Sequence, residues 1–183
     1  MKSQGMTKPE LLAVILILLG ITVVAGFNFS ASEVKARDVQ RKNDVSYIGD
    51  ALKEYREDFR FYPKSVDSKI LGCGSGLDFF PCEWGNPIGR LRDPDFGGPL
   101  PQDPLSSEGY RYVYLSNRQD IQVLGHLERK DTDEYNEDIE ERGIMCGTKV
   151  CNFGLTNKHP STLSKELDIP LLDYDATESA ILK

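Results

Sequence analysis

The chain is written in two regimes of polarity. From Leu11 to Phe29 it runs nineteen residues without a charge, most of them Leu, Ile, Val, Ala or Phe. As an α-helix rising 1.5 Å per residue, that run covers about 30 Å, the thickness of a bilayer's hydrocarbon core. Lys2 and Lys8 precede it, so the pattern predicts a single membrane-spanning segment over residues 6–29 with its N-terminus on the cytoplasmic side. The helical pattern does not stop there. Between Ala31 and Phe61 there is no proline and one glycine, Gly49. Val45, Ile48, Leu52, Tyr55 and Phe59 recur three and four positions apart, which makes one apolar stripe. Glu33, Arg37 and Arg41 are assigned to the other, solvated faces. Pro63 closes the pattern. The prediction is one continuous helix from Met6 to Tyr62, about 85 Å long, with residues 30–62 as its amphipathic continuation.

After the helix the periodicity breaks down. Lys64 to Gly109 holds eight glycines and six prolines, and residues 63–109 read as a long irregular loop region with Phe79, Phe80 and Trp84 as apolar anchors. Regular structure resumes at Tyr110-Arg111-Tyr112-Val113-Tyr114-Leu115, an alternating strand. A polar turn over Ser116 to Asp120 leads to a second run, Ile121 to Glu128. The two form an antiparallel hairpin, the centre of a β-sheet head over 110–157. Residues 158–183 read as a polar C-terminal tail with an apolar patch at Ile169-Pro170-Leu171-Leu172. The fold class is therefore α+β: a long N-terminal helix, half apolar and half amphipathic, packed on a small antiparallel sheet.

Charge narrows the partners. The 22 Lys/Arg and 29 Asp/Glu of the chain, less Lys2, Lys8 and Glu10, leave a body of net charge −8. Such a body lacks the positive footprint that non-specific nucleic-acid binding needs. Cys73, Cys82, Cys146 and Cys151 all follow the apolar run, on the exported side, where an even count favours two disulfides. Local pairing, Cys73 with Cys82 and Cys146 with Cys151, is preferred among the three connectivities four cysteines allow. Their spacings, C-x8-C and C-x4-C, match neither a zinc knuckle nor a C-x2-C redox pair. His126 and His159 sit in no triad or metal motif. Gly72-Cys73-Gly74-Ser75-Gly76 lacks the lysine of a phosphate loop. The expectation is a protein that is not an enzyme.

Glu10, at the edge of the apolar run, is the residue a plain signal anchor does not explain. Embedding an acid in a membrane helix costs about 2.5–3.5 kcal/mol for aspartate at the centre, so such acids are paired and functional. A cut between Gly5 and Met6 creates the partner. The new α-amino group, with an ordinary pKa of about 7.7–8.0, is largely cationic at neutral pH. In a bundle of axially staggered copies, Glu10 of one meets the Met6 amine of the next.

A short basic leader, a glycine, a glutamate as fifth mature residue and an apolar helix together resemble the prepilin signal of type IV pilins and type II secretion pseudopilins. The stretch from Ala36 to Val45, then Ala51-Leu52-Lys53-Glu54-Tyr55 and Phe61-Tyr62-Pro63, is similar to the major pseudopilin branch. The Leu100-Pro101-Gln102-Asp103-Pro104-Leu105 turn and the two strands after it resemble small pseudopilin-like heads. The resemblance implies a leader over residues 1–5, cleavage after Gly5 by a prepilin peptidase, N-methylation of Met6 and assembly through Glu10. The implied function is a structural subunit of a type IV pilus or secretion pseudopilus. Its partners would be copies of itself, other pilins and an assembly-platform membrane protein. It would sit in the cytoplasmic membrane, head outside, before entering an extracytoplasmic filament. Lys8 stands where the family has an apolar residue, and the family's mid-helix proline is absent. Major pseudopilins also hold calcium in the head, and the acidic stretch from Asp131 to Glu141 nominates Asp131, Asp133 and Asp138 as oxygen ligands. The stretch lacks the glycine and ligand spacing of an EF-hand loop, so a solvated acidic loop is preferred. The alternatives are a single-pass membrane-anchored binding protein that never polymerises, and a secreted protein cleaved near Ser32.

Overall fold

The computed structural model describes residues 8–75, 78–86, 99–165 and 167. Its first element is the long helix α1, Lys8–Phe59, 52 residues and about 78 Å. It ends three residues before the expected Tyr62, because Arg60 turns into the left-handed region at φ 68°. The Arg60 N–H still donates to Arg56 O at 2.8 Å, and the chain then leaves the helix axis.

The predicted loop region holds a three-stranded antiparallel sheet in the order β1 (Ser65–Val66), β2 (Lys69–Ser75), β3 (Asp78–Pro81). Val66 pairs with Lys69 across a two-residue turn in which Asp67 and Ser68 both have positive φ, the conformation tight hairpins require. The Cys73–Cys82 disulfide ties β2 to the residue after β3. Ile70, Cys73 and Cys82 are buried, so a glycine-rich sequence is held in strands by a covalent tie and a few apolar contacts.

The main sheet has the order β4 (Val113–Ser116), β5 (Ile121–Gly125), β8 (Phe153–Thr156). The expected hairpin is there, with Val113 opposite Leu124 and Ser116 opposite Ile121. Between β5 and β8 come the short helix α2 (Glu137–Glu141) and a two-stranded ribbon, β6 (Met145–Cys146) with β7 (Lys149–Val150). The Cys146–Cys151 disulfide closes the ribbon. Both cystines have the local pairing preferred from the sequence.

Both faces of the main sheet are covered. On one, Tyr112, Tyr114, Ile121, Val123 and Phe153 share a core with Val45, Ile48 and Leu52 of α1. On the other, Val113 and Leu124 pack with Ile139, Cys146, Cys151 and Leu163. Gly49 sits where α1 meets β8, and a Cβ there would lie 2.8 Å from Leu155 Cδ2. Leu163 belongs to a 3₁₀ turn, Pro160–Ser164, so the head extends into the segment read as tail. The Ile169–Leu172 patch lies outside the described residues.

Candidate assembly helix and its anchorage

The large apolar side chains described in the N-terminal half of α1 are exposed. Leu16, Ile17, Leu18 and Leu19 are 61%, 61%, 56% and 57% exposed. Four consecutive helical positions step 100° each and so cover the whole circumference. Leu11, Leu12, Val14, Ile15, Ile21, Val23 and Phe29 are exposed as well. The lone hydroxyl among them, Thr22, folds back to Leu18 O and Leu19 O at 3.0 and 2.9 Å, leaving no polar demand on the surroundings. Glu10 lies in the first helical turn, where the helix dipole favours a carboxylate. Gly5 and Met6, the proposed processing residues, lie outside the described residues.

Among the described residues no helix is long and apolar enough to cross a membrane, so the span expected over 6–29 is not found there. The uninterrupted run of described side chains, Leu11 to Val23, is about 20 Å long, short of the roughly 30 Å of a bilayer core.

The C-terminal half of α1 is fastened to the head by a buried charge cluster. Arg41, assigned to a solvated face from its charge, is fully buried. Its Nε and Nη2 donate to the two oxygens of Asp103 at 2.9 and 3.2 Å. Its Nη1 donates to Asp38 Oδ1 at 2.9 Å and Glu128 Oε1 at 2.7 Å. Arg37 forks onto both oxygens of Glu128 at 2.7 Å. The Arg41 guanidinium also lies 5.3 Å from the Tyr110 ring centroid. Burial works against the Arg41 charge, but the hydrogen bonds it donates to Asp103, Glu128 and Asp38 outweigh it and raise its pKa above the ordinary value. The Arg37 hydrogen bond, helped by Arg41, pushes Glu128 down to about 2. Asp38 further accepts from the N–H groups of Glu128 and Arg129 at 2.9 and 3.0 Å. One turn along, Tyr112 Oη donates to Asp44 Oδ2 at 2.7 Å.

The helix register contained a signal for this cluster. Positions 38, 41, 45, 48, 52, 55 and 59 are spaced alternately three and four apart, so Asp38 and Arg41 prolong the apolar stripe toward the N-terminus. A charged pair on the stripe, rather than beside it, marks a buried ion cluster.

The calcium nominees do not converge. Among the described residues no group of three or more His, Cys, Asp or Glu could hold a metal ion. Asp131 is instead paired with Arg129, Nη2 to Oδ2 at 2.5 Å. Asp138 lies on α2, whose N-cap is Asn136, and Asp133 is exposed. His126 meets Val150 O through Nδ1 at 2.7 Å, and the His159 ring accepts from Ser161 N–H at the start of the 3₁₀ turn.

Comparison with known proteins returns no matching family model, no matching curated protein and no matching solved structure.

Proposed function

We propose that the chain is a structural subunit of a type IV pilus or type II secretion pseudopilus, polymerising through α1 after leader cleavage and N-methylation. The observation that carries this reading is the uncovered apolar half of a helix whose other half is clamped into a folded head. Eleven large apolar side chains between Leu11 and Phe29 are 41–65% exposed. Covering them is worth on the order of 10 kcal/mol, comparable with the whole stability of a small domain. Their all-round distribution fits lipid and a bundle of like helices in turn, whereas a groove on one partner would need a single stripe. Cleavage between Gly5 and Met6 supplies the cation that Glu10 of a neighbouring copy accepts. Helix packing then gives the affinity, and the charge pair sets the axial stagger. Other pilins, a prepilin peptidase and a membrane assembly platform are the partners of this reading.

The test is the intact mass of membrane-extracted protein after co-expression with a prepilin peptidase. Loss of residues 1–5 with one added methyl group is expected. A full-length, unmodified mass would overturn the reading in favour of a non-polymerising anchor, and loss of about thirty residues would indicate a secreted protein. Glu10→Ala is expected to leave insertion and cleavage intact and to lower filament yield; normal yield would sink the charge-pair mechanism.

A further inference from the structure

The part of the head at the C-terminus of α1 carries two arginines in a conformation that disfavours them. Arg60 has φ 68° and Arg118 φ 74°, and the Tyr62 N–H donates to Arg118 O at 2.9 Å, placing the two turns side by side. Glycine would occupy this backbone region without strain. Strain of this kind, when it persists, points toward a use for the side chain. Both side chains are exposed, and among the described residues neither is paired with a carboxylate. The Arg118 guanidinium lies 4.2 Å over the Phe61 ring. Phe61 clusters with Tyr55 and Phe59, ring centroids 4.4 to 6.3 Å apart. Half-buried aromatics beside arginine make up the composition of an interface hot spot.

Beside the start of the clamped half of α1 the head carries the complementary charge. Glu134 reaches Lys42 and Glu128 reaches Arg41, which places the acidic stretch near the start of the clamped half of α1. Seventeen residues of helix separate Lys42 from Phe59, about 26 Å along the axis. Within the stretch, Asp131, Glu134 and Glu140 are taken by Arg129, Lys42 and Lys130. Asp133, Glu137, Asp138 and Glu141 are exposed, and among the described residues no cation pairs with them.

We infer that the Arg60–Arg118–aromatic end of one head docks on the Asp133–Glu137 part of the acidic stretch of the next copy along the filament axis, an inference that rests on the filament reading above. Two different patches on one molecule make a head-to-tail contact, which builds an open helical filament when its rotation does not close into a ring. Glu54, Glu57 and Asp58, exposed on neighbouring faces of α1, keep the basic patch narrow and repel a misplaced acidic segment, so the contact selects register.

The test uses the full chain co-expressed with a prepilin peptidase. Arg118→Cys with Asp133→Cys in one chain should, on mild oxidation, give a ladder of trimers and longer species that collapses with reductant. Each single-cysteine variant should stop at dimer. In a separate chain, Arg60→Glu with Arg118→Glu should lower filament yield at least about fivefold at unchanged leader removal, and adding Asp133→Lys with Glu137→Lys should restore it. Cleaved filaments without a ladder and without the charge-reversal effect would overturn the docking and leave the filament reading standing. A ladder from uncleaved chain would uphold the docking and overturn the filament reading. Neither filament nor ladder would overturn both.

Discussion

Arg41→Met keeps the aliphatic stem of the side chain and removes its charge from the most enclosed part of the molecule. Asp38 and Asp103 are left with side chains 3% and 2% exposed and no cation. Breaking a buried ion pair by removing one partner costs about 3–5 kcal/mol, most of it the uncompensated charge that stays behind. Part of that charge remains solvated by the backbone, since Asp38 keeps the Glu128 and Arg129 N–H groups and Asp103 keeps the Leu105 N–H at 2.8 Å. The loss should therefore fall near the lower end, about 3 kcal/mol. Urea unfolding measures it. Fluorescence of Trp84, the sole tryptophan, is a suitable probe because its ring packs edge-on against Tyr112, centroids 5.8 Å apart, within the core that α1 covers. If stranded charge is the cause, adding Asp38→Asn and Asp103→Asn to Arg41→Met should recover more than half of the loss. A loss under about 1 kcal/mol for the single variant would refute the claim that this cluster fastens α1 to the head. A triple variant no better than the single one would refute stranded charge as the reason.

Other outcomes follow from the same structure. Glu128 titrates at about 2 in the folded state against an ordinary 4.5, so its contribution is present above pH 4.5 and is lost as pH falls from 4.5 toward 2. The stability difference between the parent and Glu128→Gln should shrink across that window by at most about 3 kcal/mol, read from urea midpoints at successive pH values. Replacing Cys146 and Cys151 together by serine reopens a loop of sequence separation 5 and should cost about 2 kcal/mol on the loop-entropy estimate, with the same denaturation assay as the check. Gly154→Ala would put a Cβ 2.6 Å from both Val123 O and Leu124 Cδ2 and should destabilise the head by about 1–3 kcal/mol. Gly20→Ala, with nothing within 4 Å, should leave the unfolding midpoint unchanged.

Much of the long helix was legible because its register is local. Val45, Ile48 and Leu52 signal burial through spacing alone, and the structure buries all three. The β4–β5 hairpin was legible for a similar reason, its strands being joined by a short polar turn. The burial of Arg41 is not legible from its charge, because its partners Asp103 and Glu128 lie 62 and 87 positions away. Strand β8, Phe153-Gly154-Leu155-Thr156, is too short and too mixed to announce itself in sequence, and it becomes a strand by pairing with β5. The β2–β3 pair was hidden by glycines that suggest a loop until Cys73 and Cys82 are joined. In the acidic stretch, Asp131, Glu134 and Glu140 bond to Arg129, Lys42 and Lys130, pairings that the spacing of the carboxylates does not announce.

The position of the Arg41 cluster along α1 also decides how the molecule carries a pull. Tension applied to the N-terminal half travels down the rod and enters the head at Arg37, Arg41 and Asp44, where Glu128, Asp103 and Tyr112 hold the helix from the side. The load runs parallel to the helix–sheet interface, so these bonds and the apolar stripe beneath them are sheared together rather than peeled one after another. The two cystine-closed hairpins supply none of the bonds at that entry point. Their covalent links guard against unfolding by heat or denaturant, while resistance to traction falls to the ion cluster.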